Sequence, residues 1–147
     1  MQVLDTKQQI DKLTGEFFNA VSFQRGQRPA YNALHTIFIA SAVIIKNSGA
    51  MPEINTVSQF IKPRQQMVDS GQLTSFCETE TAAITEIFGN IAHRLSTYEK
   101  VGVNASGEFT GQGVISIQFI LTPDGWKMSA MAWDDERPGL TIPEKYR

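Results

Sequence analysis

Residues 111–136, GQGVISIQFILTPDGWKMSAMAWDDE, leave little choice of local structure. Residues 114–121 are rich in β-branched and apolar side chains, Thr122-Pro123-Asp124-Gly125 supplies turn chemistry, and residues 126–133 resume the apolar run. Pro123 presets φ and Gly125 can take a positive φ, so the stretch reads as two β-strands joined by a tight turn with a locally fixed register.

The chain ahead of this hairpin begins helical and turns to strands. Asp5 can cap a first helix with Gln8 three residues on, and Ile10, Leu13, Phe17, Ala20 and Val21 follow at helical spacing, so one face is buried. Pro29 suits the first turn of a short second helix through His35. Residues 37–45 read as a strand buried on both faces or nearly so, bounded by Asn47-Ser48-Gly49. Asn55 or Thr56 opens another helix, where Pro63 starts a new turn or a kink, and Ser70-Gly71 closes it. Residues 76–87, 91–100, 109–121 and 126–134 are four further strand candidates. Helices first and a strand meander afterwards describe an α+β domain, N-terminal helices packed on a strongly curved antiparallel sheet, with residues 1–147 as one domain.

Composition narrows the function classes. A formal net charge of −2 with scattered Lys and Arg gives no electrostatic reason to expect nucleic acid or an anionic membrane as partner. The longest apolar run, residues 37–45, falls far short of the ~20 residues of a membrane-crossing helix, and the polar N-terminus MQVLDTKQQIDKL lacks the apolar region of a secretory signal. A single cysteine, Cys77, rules out an internal disulfide, and a reduced, cytoplasmic setting is expected. His35 and His93 with one cysteine give no zinc spacing, and Gly111-Gln112-Gly113 precedes a strand and lacks a third glycine, so neither a metal nor a dinucleotide cofactor is expected.

Three stretches carry a resemblance: FIKPRQQMVDSG from Phe60, EIFGNIAHRLSTYEK from Glu86, and above all the 111–136 hairpin with its Gly-Trp turn and its final strand ending in Trp and acids. The chain resembles the NTF2-like superfamily, the cystatin-like α+β cone of nuclear transport factor 2, ketosteroid isomerase and the SnoaL-like cyclases, and in particular its small bacterial members. The resemblance implies a concave sheet wrapped around helices, a pocket at the wide end of the cone for a small, mostly apolar molecule, and homodimerisation through the sheet. Fold alone licenses no activity.

The catalytic sets of that superfamily transfer only in fragments. The isomerase base lies on the strand after the second helix, but residues 36–46 hold no Asp or Glu, and the first helix offers Phe17 and Phe18 but no tyrosine. The Asp-Arg-Asp set of the epoxide hydrolases finds Arg94 and Asp134, without an Asp on residues 91–100. For a dehydratase-like pair, His35 and His93 with Tyr31 and Tyr98 are the material. His93, mid-strand, is the candidate general acid/base, the alternative being a hydrogen-bonded strand histidine. His35 lines the pocket mouth or sits at the negative end of its helix. Glu78 and Glu80 share a strand face and meet either a ligand, a partner or solvent. Phe76, Phe119, Trp126 and Trp133 make core or ligand cage, with Trp133 nearest the pocket. The candidate ligand-binding set is therefore Tyr31, His35, Phe76, Glu78, Tyr98, Phe119 and Trp133. The leading functional reading is a homodimeric small-molecule-binding protein. The alternatives are a lyase, isomerase or hydratase using His93, with Tyr31 or Tyr98 polarising a carbonyl, and a protein-interaction module presenting a sheet face.

Overall fold

The computed structural model describes residues 3–147. Met1 and Gln2, which open the polar N-terminal stretch, lie outside the described residues.

Helix α1 (Thr6–Val21) starts where the sequence places its cap. The Asp5 carboxylate accepts from the Gln8 amide at 2.8 Å and the Gln8 side chain accepts from the Asp5 amide at 3.0 Å, closing a capping box. Ile10, Leu13, Phe17 and Val21 form its buried stripe. The next element departs from expectation. Ala30 has φ −95° and ψ 50°, outside the helical region, and only a 3-10 turn (Tyr31–Ala33) and a four-residue helix α2 (Leu34–Ile37) follow. A helix this short gains little from its own hydrogen bonds, so packing decides: the tighter turn eclipses positions three apart and sends both Tyr31 and Leu34 into the core.

Strand β1 (Phe38–Lys46) buries one face, not two: Phe38, Ala42 and Ile44 are covered, whereas Ser41 and Val43 are exposed. Helices cover only one side of the sheet, which is why the apolar run carries an open face. A three-residue strand β2 (Glu53–Asn55), which the sequence reading lacks, pairs antiparallel with the end of β1. Thr56 then caps α3 (Val57–Asp69) in a second capping box with Gln59, and Pro63 lies inside this helix without ending it. Strands β3 (Leu73–Phe88), β4 (Ile91–Asn104), β5 (Gly107–Thr122) and β6 (Gly125–Asp135) form the expected meander, longer than the apolar runs suggested.

The six strands stand in the order β2-β1-β6-β5-β4-β3, and every pair is antiparallel except β1–β6, which is parallel. This corrects the wholly antiparallel expectation: β1 has the short antiparallel β2 on one side and docks parallel to the last strand on the other. Because β2 and β3 are opposite edges of the sheet, the chain between them must cross its full width. Helix α3 makes that crossing, and with α1 it covers the concave face. Bulges at Thr81 in β3, and at Ser129 in β6 opposite Gln118 and Phe119, add local bend to the long strands. Phe23, just past α1, pairs with Phe76 through backbone bonds of 2.7 and 3.0 Å and so covers part of the exposed β3 edge.

After β6 the chain turns at residues 137–140 and lies against the outer face. There the Thr97 hydroxyl donates to the Tyr146 carbonyl at 2.6 Å and Ile142 is buried. Thr97→Val is expected to lower stability by about 1 kcal/mol, read from the urea midpoint. An unchanged midpoint would mean that the tail is not held by this bond. No helix among the described residues is long and apolar enough to cross a membrane.

Candidate functional site

Where α3 crosses the sheet it does not seal it. A cavity of about 360 Å³ remains between α3, the end of α1, the Tyr31 turn and the concave face of the sheet. Phe60, Pro63, Arg64 and Met67 recur at helical spacing on α3 and turn one face to this space. Across from them β3 contributes Phe76 and Glu78, β4 Tyr98 and Lys100, β5 Phe109 and Ile115, and β6 Trp133. The walls are mainly aromatic: Phe60 meets Trp133 edge-on at 6.0 Å, and Phe76 lies 6.3 Å from Phe109.

The polar groups in the cavity divide into committed and uncommitted ones. Tyr98 is committed: its hydroxyl donates to the Asp135 carboxylate, which also accepts from Lys100 Nζ at 3.0 Å through each oxygen. Burial, and then the neighbouring Asp135, push the phenol above its ordinary pKa, so Tyr98 is a fixed donor and not an acid. Lys46 pairs with Glu53 at 4.0 Å at the rim.

Three lining groups keep free valence among the described residues. The Tyr31 hydroxyl and the Glu78 carboxylate make no side-chain hydrogen bond, and Arg64 spends one donor, Nη1, on the Phe60 carbonyl at 3.0 Å. The Arg64 guanidinium lies 3.7 Å over the Phe60 ring, which fixes its plane. Burial pulls the Arg64 pKa down, against the partial support of Tyr31, Glu53 and Glu78. Burial pushes the Tyr31 phenol up. Glu78 is raised from 4.5 to about 7, chiefly by burial, with Lys100 opposing and Asp135 adding to the rise. Its backbone is held by Ser22, whose hydroxyl accepts from the Glu78 amide at 3.0 Å.

No protein-family model matches the sequence, and no curated protein sequence matches it. Solved structures do match in shape. An NTF2-like superfamily protein from Salmonella enterica superposes with a TM-score of 0.73 at 13% identity, covering 89% of this chain and 91% of that one. An NTF2-like protein from Cytophaga hutchinsonii gives 0.71 at 15% identity, over 90% and 100% of the two chains. The hexachlorocyclohexane dehydrochlorinase LinA-type3 from Novosphingobium barchaimii gives 0.71 at 13% identity, over 90% and 87%. This chain has the NTF2-like fold. At such identities the likeness speaks for the fold alone.

Within the NTF2-like cone, the candidate residues separate. Tyr31, Phe76, Glu78, Tyr98 and Trp133 all line the cavity. Phe119 does not: it is fully buried in the core among residues such as Phe38 and Met128. His35 faces a shallow groove with Ser58, Ile61 and Gln65, on the outside of α3. His93 does not join Tyr31 or Tyr98 either. Its side chain is 57% exposed and meets Glu86 at 3.0 Å, because inward positions on β4 fall to its neighbours Ala92, Arg94, Ser96 and Tyr98. The expected convergence of His93 with a tyrosine in one cavity is thus absent from the fold.

Arg94 has no contact with Asp134; it lies under α1. Its guanidinium bonds both Glu80 oxygens, at 2.5 and 3.0 Å, Asp11 at 2.7 Å and Thr85 at 2.8 Å. This cluster joins helix to sheet and does not line the cavity. No group of acidic, histidine or cysteine side chains among the described residues has the arrangement of a metal site.

Sequence reasoning missed Arg64, Lys100 and Asp135. The signal for Arg64 was present, since it lies four residues after Phe60 on one helix face. Asp135 stands among the consecutive acids that end the final strand, and nothing local distinguishes it from Asp134 or Glu136. Gly113 has a related explanation: a Cβ there would collide with the Tyr98 hydroxyl and the Asp134 carbonyl. Gly113→Ala is accordingly expected to destabilise by about 1–3 kcal/mol, measured by urea denaturation, through displacement of Tyr98 from Asp135. A neutral effect would show that the strand relaxes without disturbing the cavity wall.

Proposed function

We propose that this protein binds a small, mostly apolar molecule in the cavity beneath α3. The observation that carries this reading is the pairing of an aromatic-walled space of about 360 Å³ with three polar groups, on Tyr31, Arg64 and Glu78, that have hydrogen-bonding capacity to spare. That is the composition of a small-molecule site: apolar bulk contact with a few orienting groups. The test is calorimetric titration with 2-naphthamide, a neutral aromatic probe, followed by NMR mapping of the amides that shift. Saturable one-to-one binding with shifts on α3 and the inner faces of β3 and β4 is expected. Absence of binding, or shifts confined to the outer face, overturns it.

A second reading, a lyase or isomerase, is favoured by Glu78 and not by His93. A carboxyl held near neutrality, in an apolar cavity beside an arginine, has the properties of a general base for proton abstraction. Glu78-dependent exchange of solvent deuterium into the methyl group of 2-acetylnaphthalene would support it, and exchange equal in wild type and Glu78→Gln would discard it.

Homodimerisation through the outer sheet face, in a reduced cytoplasmic compartment, belongs to the same proposal. The face between β5 and β6 is uncovered and lined by Ser116, Gln118, Ala130 and Ala132, small or polar side chains that permit close approach. Sedimentation equilibrium is expected to give twice the chain mass, and a monomer at high concentration would refute it.

A further inference from the structure

Charge pairing around the cavity leaves two residues over. Lys46 faces Glu53 at the rim, and Lys100 with the Tyr98 hydroxyl holds Asp135. Arg64 and Glu78 have no ion-pair partner within 4.0 Å among the described residues. The two are not equivalent. A carboxyl in an apolar surrounding can give up its charge by taking a proton near neutral pH; a guanidinium does not deprotonate in a protein. Arg64 is therefore the persistent uncompensated charge, and it is already oriented. Stacking on Phe60 fixes its plane, one donor is used on the Phe60 carbonyl, and the remaining N–H groups are left for a planar two-oxygen acceptor. Tyr31 lines the same cavity and adds a hydroxyl donor to it.

We propose that the ligand is an apolar organic acid, its carboxylate held by Arg64 and the Tyr31 hydroxyl and its hydrocarbon body packed against Phe60, Phe76 and Trp133. This rests on the cavity being a binding site and specifies what the site selects. A neutral ligand of the same shape leaves the guanidinium unpaired; an amine meets Arg64 as a like charge. The acid supplies the missing counter-charge with matching geometry.

The matched pair 2-naphthoic acid and 2-naphthamide isolates the charge, since shape and apolar area are shared. Titrated by calorimetry at pH 7, the wild-type protein is expected to bind the acid about ten-fold or more tightly over the amide, the usual worth of hydrogen bonds to a charged group. Arg64→Met is expected to erase that preference while still binding the amide, which also reports that its cavity is intact. Should Arg64→Met lose the amide too, Arg64→Gln, which keeps a polar head in the cavity, takes its place. Tyr31→Phe is expected to reduce the preference without erasing it. Equal affinity of the wild type for acid and amide overturns the assignment and leaves the binding cavity standing. An acid preference that survives at Arg64→Met overturns Arg64 as its source. Failure of both compounds to bind the wild type overturns the cavity reading as well.

Discussion

Between about pH 4.5 and pH 7 the stability of the wild-type protein should fall relative to Glu78→Gln, and the gap should then stay constant at higher pH. The folded protein holds the Glu78 proton up to about 7, whereas the unfolded chain releases it near 4.5. In that window the native state binds more protons than the unfolded state, so raising the pH favours unfolding. The contribution is fully present below the unfolded value and is lost as pH rises through the folded one. At about 1.4 kcal/mol per unit, the loss is about 3 kcal/mol. Glutamine keeps the shape of the protonated acid and has nothing to ionise, so the variant should equal the wild type near pH 4.5. At pH 8 it should exceed it by about 3 kcal/mol, or roughly 10 °C in Tm for a chain of this length. Urea denaturation of both proteins across the range measures the difference directly, free of the other carboxylates. Those include Asp11, which burial pushes up but hydrogen bonds from Lys7 and Arg94 hold below its usual range. A wild-type-minus-variant gap independent of pH would show that Glu78 is solvated like any surface acid.

The second large effect concerns the cluster under α1. Arg94→Met should lower stability by about 3–5 kcal/mol, because Glu80 is left in a largely buried position with only the Ser96 hydroxyl, at 2.5 Å, as partner. Asp11 suffers less, since it is half-exposed and keeps Lys7 at 2.7 Å. Arg94→Met combined with Glu80→Leu should recover most of the loss, because the charge and its counter-charge leave together. If the double variant is as unstable as the single one, the guanidinium matters through packing and its bond to Thr85. Neither variant should alter ligand affinity, which separates this cluster from the cavity.

The features that were legible in the sequence share a local cause. The Asp5 box and the start of α3 offered at Asn55 or Thr56 depend on residues within one turn, and the Pro-Asp-Gly turn sets its hairpin without help from the rest of the chain. Five of the seven expected ligand-binding residues reach the cavity, those on the strands at inward-facing positions and Tyr31 from its turn. The misreadings are of another kind. His93 faces out because inward alternation along β4 is fixed by what the helices cover, and mid-strand position alone does not carry that parity. Phe119 keeps the inward parity of Ile115 and Ile117 on β5 but stands farther along the strand, where it is packed into the core and not against the cavity. His35 was tied to a helix longer than the one that forms. Arg94 and Asp134 share no neighbourhood, whereas Arg94 and Asp11 meet across most of the chain, a contact that periodicity has no means of announcing.

The parallel pairing of β1 with β6 also sets an order of events. From β3 onward each strand pairs with the next through a short turn, so the meander can zip up from local hairpins. β1 has only the three-residue β2 as such a neighbour: its longer pairing, with β6 from Met128 to Trp133, joins positions some ninety apart, in the slow class of contacts whose loop closure comes late. Until then the apolar face of β1 has no place to go, and α3 has no completed sheet to cross. The cavity is therefore among the last features of the molecule to come into being, and a chain halted before β6 docks would offer a naked strand to its neighbours in place of a binding site.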